Sequence, residues 1–313
     1  MGDCSDGPQP SDMNPSKPRP IVGIVGIGAM GMAMATHLHE CNYRVLVRDV
    51  RAEPEKKALA MGLEVCSSPH DMARQADIML LAVVNADQID DVLSGPDGVL
   101  AGLATNPRTA RTRTLVLCST IAPQDTARFA ARLADHGLAC IDGPISGGPA
   151  RARAGRMSMM LAAPAQTLDE WSPLLADMAE KRFVISATAG DAAKAKLVNN
   201  LLAGANLVAG AEALALAEKL GLDTRLMFEL ICASSGASWI FADRMARALD
   251  DDYQPRAAAH ILAKDVGLAT ALARSVDHAT PLGDAALARF QATLDQGWAE
   301  LDDAAVIKTW LDR

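Results

Sequence analysis

A chain of 313 residues exceeds the usual single-domain length, and half of its residues are hydrophobic, so two domains with sizeable cores are expected. The formal net charge of −8 and the lack of a basic stripe argue against nucleic acid or an anionic membrane as partner. An anionic substrate would therefore need local help from N–H groups or a lysine.

Six cysteines (Cys4, Cys41, Cys66, Cys118, Cys140, Cys232) are scattered with no Cys-x-x-Cys pair, as reduced core thiols of a cytoplasmic protein would be. His37 and His39 lie two apart on an expected helix and face different directions, so no metal is expected. Residues 1–20 carry Gly, Pro, Ser and Asp with almost no apolar content, which reads as a disordered extension and not as a signal peptide. Nothing further on runs to about 18 apolar residues without a charged or polar interruption, so the chain reads as soluble.

In chain order, the first structured stretch is an apolar run, Ile21 to Val25, that passes through Gly26-x-Gly28-x-x-Gly31 into an Ala/Met-rich helix reaching about His39. Gly26 permits the tight bend, Gly28 lets backbone approach a pyrophosphate, and Gly31 allows close helix–strand packing. The helix start at Ala29 and Met30 offers free N–H groups and a positive dipole end to phosphates. Tyr43–Arg48 reads as the second strand, with Asp49 at its carboxyl end. A carboxylate there binds the adenosine ribose and repels a 2′-phosphate, which favours NAD over NADP. Arg48 and Arg51 flank it, at a solvated loop edge or turned toward a phosphate.

Glu53–Met61 suits a helix, Glu64–Cys66 a short strand, and Ser68-Pro69 a capped helix start. Asp77–Val84 is an apolar run of the kind covered on both faces, and Val84-Asn85 stands at the carboxyl edge where open α/β sheets bind ligands. Thr114–Cys118 is another such strand, ending in Ser119-Thr120. Pro123–His136 follows as a helix, and Gly137–Asp142 leads into the next strand. Met157–Ala162 and Arg182–Ser186 complete the strands, with a helix over about Thr167–Ala179 between them. The alternation predicts a doubly wound parallel sheet of Rossmann type over residues 21–188. Beyond Gly190 the pattern turns helical. Asp191–Leu220 has no proline and would run about 45 Å, enough to link two domains. Thr224–Ala233, Ser238–Leu249, Arg256–Arg274, Pro281–Gln296 and Asp302–Leu311 predict an all-helical domain over residues 189–313.

Two stretches carry chemistry. In Asp142-Gly-Pro-Ile-Ser146-Gly147-Gly148-Pro149, a serine followed by two glycines can offer a hydroxyl and bare N–H groups to a carboxylate, although an ordinary turn reads the same way. In Lys194-Ala-Lys196-Leu-Val-Asn199-Asn200, Lys196 and Asn200 share a helix face. A lysine among small apolar residues is partly desolvated, and its lowered pKa suits it to exchange a proton with an alcohol or carbonyl. Asn200 could orient the substrate oxygen or the lysine, while Lys194 could simply reach solvent. Trp239 or Phe241 could wall a substrate pocket, though aromatics at that spacing more often belong to a core.

With these motifs in this order, the chain resembles the β-hydroxyacid dehydrogenase family over about residues 20 to 310. The likeness rests on Gly26–Met34, Ser119-Thr120, Asp142–Gly148, Lys196–Asn200 and Lys264-Asp-Val-Gly-Leu-Ala269. It implies NAD(P)-linked oxidation of a small hydroxy acid, with Lys196 as acid/base assisted by Asn200. Ser146, Gly147 and Gly148 would hold the substrate carboxylate, and Ser119 would sit near nicotinamide and substrate. Thr120 would touch the cofactor, and Lys264 would close the site from the helical domain. Within the family the likeness runs to the L-threonate dehydrogenases, through Val83–Ala86, Ser238–Phe241, Leu202–Gly204 with Ala209–Ala213, and Asp302–Lys308. A homodimer or homotetramer is expected from the long Ala/Gly-rich helix.

The chain departs from the family pattern at two places. Ala192 stands where a glycine is common four residues before the lysine, and Gly143 stands where alanine is common. Neither removes a reacting group. Tartronate semialdehyde reductase and 3-hydroxyisobutyrate dehydrogenase would use the same machinery on other acids. A non-catalytic dinucleotide-binding module or an imine reductase would lack Lys196. A SAM-dependent methyltransferase would leave the lysine–asparagine pair unexplained.

Overall fold

A computed structural model describes residues 19–101 and 111–311. Strand and helix alternate as β1 (Ile21–Val25), α1 (Ala29–Glu40), β2 (Arg44–Arg48), α2 (Ala52–Ala60), β3 (Glu64–Val65), α3 (Pro69–Ala73), β4 (Ile78–Leu81), α4 (Ala86–Ser94), β5 (Thr114–Leu117), α5 (Pro123–Asp135) and β6 (Ala139–Asp142). There follow β7 (Ile145–Ser146), α6 (Gly148–Arg153), β8 (Met157–Ala162), α7 (Ala165–Met178) and β9 (Ala179–Ser186). The helical part holds α8 (Asp191–Lys219), α9 (Thr224–Cys232), α10 (Trp239–Ala248), α11 (Ala259–Arg274), α12 (Pro281–Asp295) and a 3-10 helix over Asp303–Thr309.

The sheet runs β3-β2-β1-β4-β5-β6-β8-β7, with β9 paired to β8. Strands β1 to β6 pair in parallel. The central runs, Val22–Val25 of β1, Ile78–Leu81 of β4 and Leu115–Leu117 of β5, are buried and lack polar side chains because helices cover both faces. Ile78 and Leu80 of β4 enter one core cluster, Met79 and Leu81 the other, as a period of two requires. Past β6 the parallel pattern breaks, for β8 lies antiparallel to both β6 and β7. Only Gly143 and Pro144 separate β6 from β7, and ten residues separate β7 from β8. Parallel crossovers need a dozen or more, so the chain turns back on itself.

Several boundaries differ from expectation, each for a local reason. The strand expected over Asp77–Val84 ends at Leu81, where the backbone leaves the ladder for the cleft. The helix expected from Arg256 starts at Ala259, because the Arg256 and Ala257 N–H groups donate to Asp302 and Ala258 forms a bridge to that residue. The helix expected over Asp302–Leu311 is 3-10, with Asp302 capping it through Ala304 N–H. Most of the N-terminal extension expected over residues 1–20 lies outside the described residues. Arg19, at its end, pairs with Asp177 at 2.8 Å and stacks on Tyr43.

Helix α8 is the spine of the helical part, packed by α10, α11 and α12. Two glycines permit close approach: a Cβ on Gly204 would stand 2.4 Å from Val266, and one on Gly210 2.4 Å from Phe241. By length and composition α8 could span a membrane, yet 44% of its apolar window is buried inside the protein. It also carries buried Lys196 and Asn200, the mark of a core helix.

Candidate active site

A cleft of about 610 Å³ lies between the carboxyl edge of the sheet and the helices. On the sheet side it is lined by Gly28, Ala29, Met30 and Gly31, by Val84, by Ser119 and Thr120, and by Ser146, Gly147 and Gly148. On the helical side stand Lys196, Asn200, Lys264 and Asp265, with Trp239 and Arg244 further along. Residues named from separate stretches of sequence are thus brought to one wall or the other. Gly26, Asp49 and Asn85 stand behind that lining.

The glycine turn fits a dinucleotide. Gly26 holds φ 88°, the left-handed region, and donates to Arg48 O at 2.9 Å to fix the bend. A Cβ on Gly31 would stand 1.9 Å from Gly26 O, so this glycine exists for packing. A Cβ on Gly28 would meet nothing within 4 Å except the Arg51 guanidinium at 3.6 Å, so this one faces the open cleft. Beyond it α1 starts with no side-chain cap, leaving its first N–H groups for an anion.

Asp49 is buried at the end of β2 and accepts from Ile27 N–H at 3.0 Å, Arg51 N–H at 3.0 Å and Arg51 Nε at 3.1 Å. Burial works against its charge, but these bonds outweigh it and hold the carboxyl below the usual range. Arg51 pairs with Asp49, whereas Arg48 turns to Glu55. Asn85 caps α4 by accepting from Gln88 N–H at 2.9 Å, which shapes the loop carrying Val84 into the cleft.

Lys196 is the buried amine of the cleft. It is only 6% exposed, and desolvation lowers its pKa from 10.5 to about 8, with Lys264 adding to the fall and Asp265 opposing it. Two residues earlier, Lys194 lies outside and pairs with Asp191 at 2.7 Å. Asn200 makes no bond to Lys196; its Nδ2 donates to Asp265 Oδ2 at 2.7 Å, and its Oδ1 accepts from Asn199 at 3.0 Å. Lys264 donates to Asp265 Oδ1 and to the Thr120 carbonyl, each at 2.6 Å, the second bond crossing from helix to sheet. Asp265 therefore gathers Asn200 and Lys264 beside Lys196. It is the residue that sequence reasoning missed, and its place directly after Lys264 was the available signal.

Trp239 is half exposed and stacked between Arg151 of α6, at 5.1 Å, and Arg244, at 5.9 Å. Phe241 is core instead, packed on Phe228 with ring centroids 5.5 Å apart. Arg244 donates to Asp303 at 2.5 Å. Burial raises Asp303 to about 7 against the pull of that guanidinium. Chemically, the cleft joins a glycine turn of dinucleotide type, a Ser-Gly-Gly turn and a buried lysine lowered to about 8, within reach of proton exchange near neutral pH.

Comparison with known proteins places this arrangement. Residues 21–187 match the model for the NAD-binding domain of 6-phosphogluconate dehydrogenase, and residues 190–310 match that for the NAD-binding domain of NADP-dependent 3-hydroxyisobutyrate dehydrogenase. The chain is 35% identical to the L-threonate dehydrogenase of Cupriavidus necator, over 92% of this chain and 95% of that protein. It is 32% identical to the NAD-dependent L-serine dehydrogenase of Pseudomonas aeruginosa, over 92% and 96% respectively. The structure of a 3-hydroxyisobutyrate dehydrogenase from Salmonella typhimurium superposes with a TM-score of 0.85 at 33% identity, covering 93% of this chain and all of that one. The chain therefore belongs to the β-hydroxyacid dehydrogenase family, NAD-dependent oxidoreductases acting on the CH–OH group of hydroxy acids.

Proposed function

We propose that the protein oxidises L-threonate to 2-dehydro-L-erythronate with NAD, using Lys196 as the acid/base. The observation that carries the acid/base reading is Lys196 itself, buried in the cleft and lowered to about 8. In this reading the substrate carboxylate docks on Ser146, Gly147 and Gly148, with Ser119 beside the reacting carbon. Neutral Lys196 takes the hydroxyl proton as the C–H hydride leaves, and protonated Lys196 returns it in the reverse direction. Bound NAD supplies the hydride acceptor. Gly28, Ala29, Met30 and Gly31 would seat its pyrophosphate on the bend that Gly26 fixes. Asp49 would face its ribose, and Val84, Thr120 and Lys264 would border the rest, with Asn85 shaping the loop that carries Val84. Asn200 acts through Asp265, keeping the acid/base corner in register and positioning the reacting groups.

The choice of L-threonate is supported by relatives of that name among the similar proteins. L-Serine and 3-hydroxyisobutyrate are the competing substrates, since proteins named for them are similar over comparable lengths. Residues 21–188 would form the cofactor domain and 189–313 the helical substrate and assembly domain. Val198, Leu202 and Leu216 lie 58–67% exposed on α8, an apolar face that favours a homodimer or homotetramer. Initial rates of NAD reduction on L-threonate, L-serine, D-glycerate and 3-hydroxyisobutyrate test the reading. L-Threonate should give the highest kcat/KM, with NADP poorer than NAD. A preference for L-serine or 3-hydroxyisobutyrate would move the enzyme to that branch.

A further inference from the structure

The long helix α8 has no cap of its own. Its N-cap residue is Gly190, held at φ 101° and without a side chain to accept from the first turn. Such a start leaves backbone N–H groups without intrahelical partners, and burying them unpaired would be costly. They are paired from a distance of about fifty residues: Asp142 Oδ2 accepts from Gly190 N–H at 2.8 Å, Ala192 N–H at 3.0 Å and Ala193 N–H at 3.1 Å. Asp142 is 1% exposed at the carboxyl end of β6.

Its position ties together the two stretches assigned to chemistry. Ala192 and Ala193 precede Lys196 by four and three residues, so the clamped N–H groups belong to the turn on which the lysine rests. In the other direction the chain leaves Asp142 through Gly143 and Pro144, each held by a backbone bond, and reaches Ser146 four residues on. The walls around it are packed: Ala192 lies against Met160 and Ala162, and a Cβ on Gly143 would stand 2.7 Å from Val116. A shift of either end relative to the other would therefore change the distance between lysine and carboxylate turn. Misplacements of about 1 Å cost on the order of a hundredfold in rate.

We infer that Asp142 is a positioning residue for the dehydrogenase reaction: by capping α8 from the sheet it sets the distance between Lys196 and the Ser146–Gly148 turn and keeps water away from Lys196. This rests on the acid/base reading of Lys196. It also gives the aspartate a task that its neighbours in the motif cannot take, because neither Ser146 nor a glycine reaches the helix start. At the pH of turnover the carboxylate carries its charge, with burial pushing its pKa up to about 6 against the three N–H bonds.

The test follows Lys196 directly, by titrating its ε-carbon NMR signal in the full-length protein, assigned by its loss in Lys196→Ala. Asp142→Ala should loosen the first turn and admit water, moving the Lys196 midpoint from about 8 toward 10.5. The same variant should lower kcat on L-threonate at least about tenfold while the Kd for NAD stays within about threefold. Asp142→Asn keeps an acceptor oxygen of the same shape and should return the midpoint to near the parent value. If the alanine variant does not fold, Asp142→Ser, whose hydroxyl is too short to reach all three N–H groups, takes its place. A Lys196 midpoint unmoved in the alanine or serine variant overturns the inference. Full turnover in Lys196→Ala would instead sink the acid/base reading, and the NMR measurement separates the two failures.

Discussion

The two walls of the cleft are built on different principles. The sheet side offers backbone and small hydroxyls: Gly28, Ser119, Ser146 and Gly148 are short residues that let a ligand come close to N–H groups. The helical side offers charge: Lys196, Lys264, Asp265, Arg244 and Asp303, every one of them buried or half buried and all but Lys196 ion-paired. A wall of turns binds by shape and tolerates little added volume. A wall of buried charges acts by proton affinity and tolerates little loss of a partner. Lys194 and Lys196 make the point on one helix. One is exposed and paired, the other is buried and titrates near the working pH.

The sharpest way to break this comparison is to remove the lysine proposed as acid/base. Lys196→Ala should lower kcat by about a thousandfold or more, with the Kd for NAD nearly unchanged in a fluorescence titration. A loss confined to NAD affinity would mean that the helical wall also binds by shape. Asp265→Ala strands Asn200 and Lys264 near the lysine and should cost about 3–5 kcal/mol in denaturant unfolding, together with most of the activity. An unaltered unfolding midpoint would contradict it.

On the sheet side, two glycines three residues apart should respond in opposite ways. Gly31→Ala must push backbone against Gly26 O and should destabilise the fold by about 1–3 kcal/mol. Gly28→Ala should leave thermal unfolding unchanged and weaken NAD by roughly tenfold, because the added methyl enters the open cleft proposed for the pyrophosphate. Equal behaviour of the two variants would erase the distinction between packing and binding glycines.

The buried lysine should also be felt in stability. Its folded pKa of about 8 lies below the unfolded 10.5, so the folded state binds fewer protons between those values and stability from this group rises with pH across that window. Lys196→Met should therefore stabilise the protein by on the order of 3 kcal/mol below pH 8, the gain shrinking to little above pH 10.5. Chemical denaturation at pH 7 and near pH 10.5 checks the sign. The same titration should be read in rate: kcat/KM for oxidation should rise about tenfold per unit below pH 8 and level above it, while reduction should fall above that pH. A flat profile would leave Lys196 without a titrating role.

Much of the sheet half was legible in the sequence because its signals are local. Gly26, Gly28 and Gly31 sit within six residues, Asp49 follows at the end of the next strand, and apolar runs such as Ile78–Leu81 mark strands covered on both faces. The helices too were legible: the lack of proline over Asp191–Leu220 marked α8, and helical patterning marked α9 to α12 with ends displaced by a few residues. Lys196 and Asn200 were visible as a pair because four residues make one helical turn.

What the chain order could not say is which distant residues meet. Asp265 meets Asn200 across 65 residues, Lys264 meets the Thr120 carbonyl across 144, and Asp142 caps a helix that begins 49 residues later. The antiparallel return of β8 and the stacking of Trp239 between Arg151 and Arg244 are likewise products of how the halves close on each other. Backbone turns and helix faces are fixed by a few neighbouring residues, so sequence alone determined the cofactor turn and the lysine's face. Desolvation, caps and ion pairs depend on which surfaces are buried against which, so only the tertiary structure decided the proton affinity of Lys196 and the clamp that holds it.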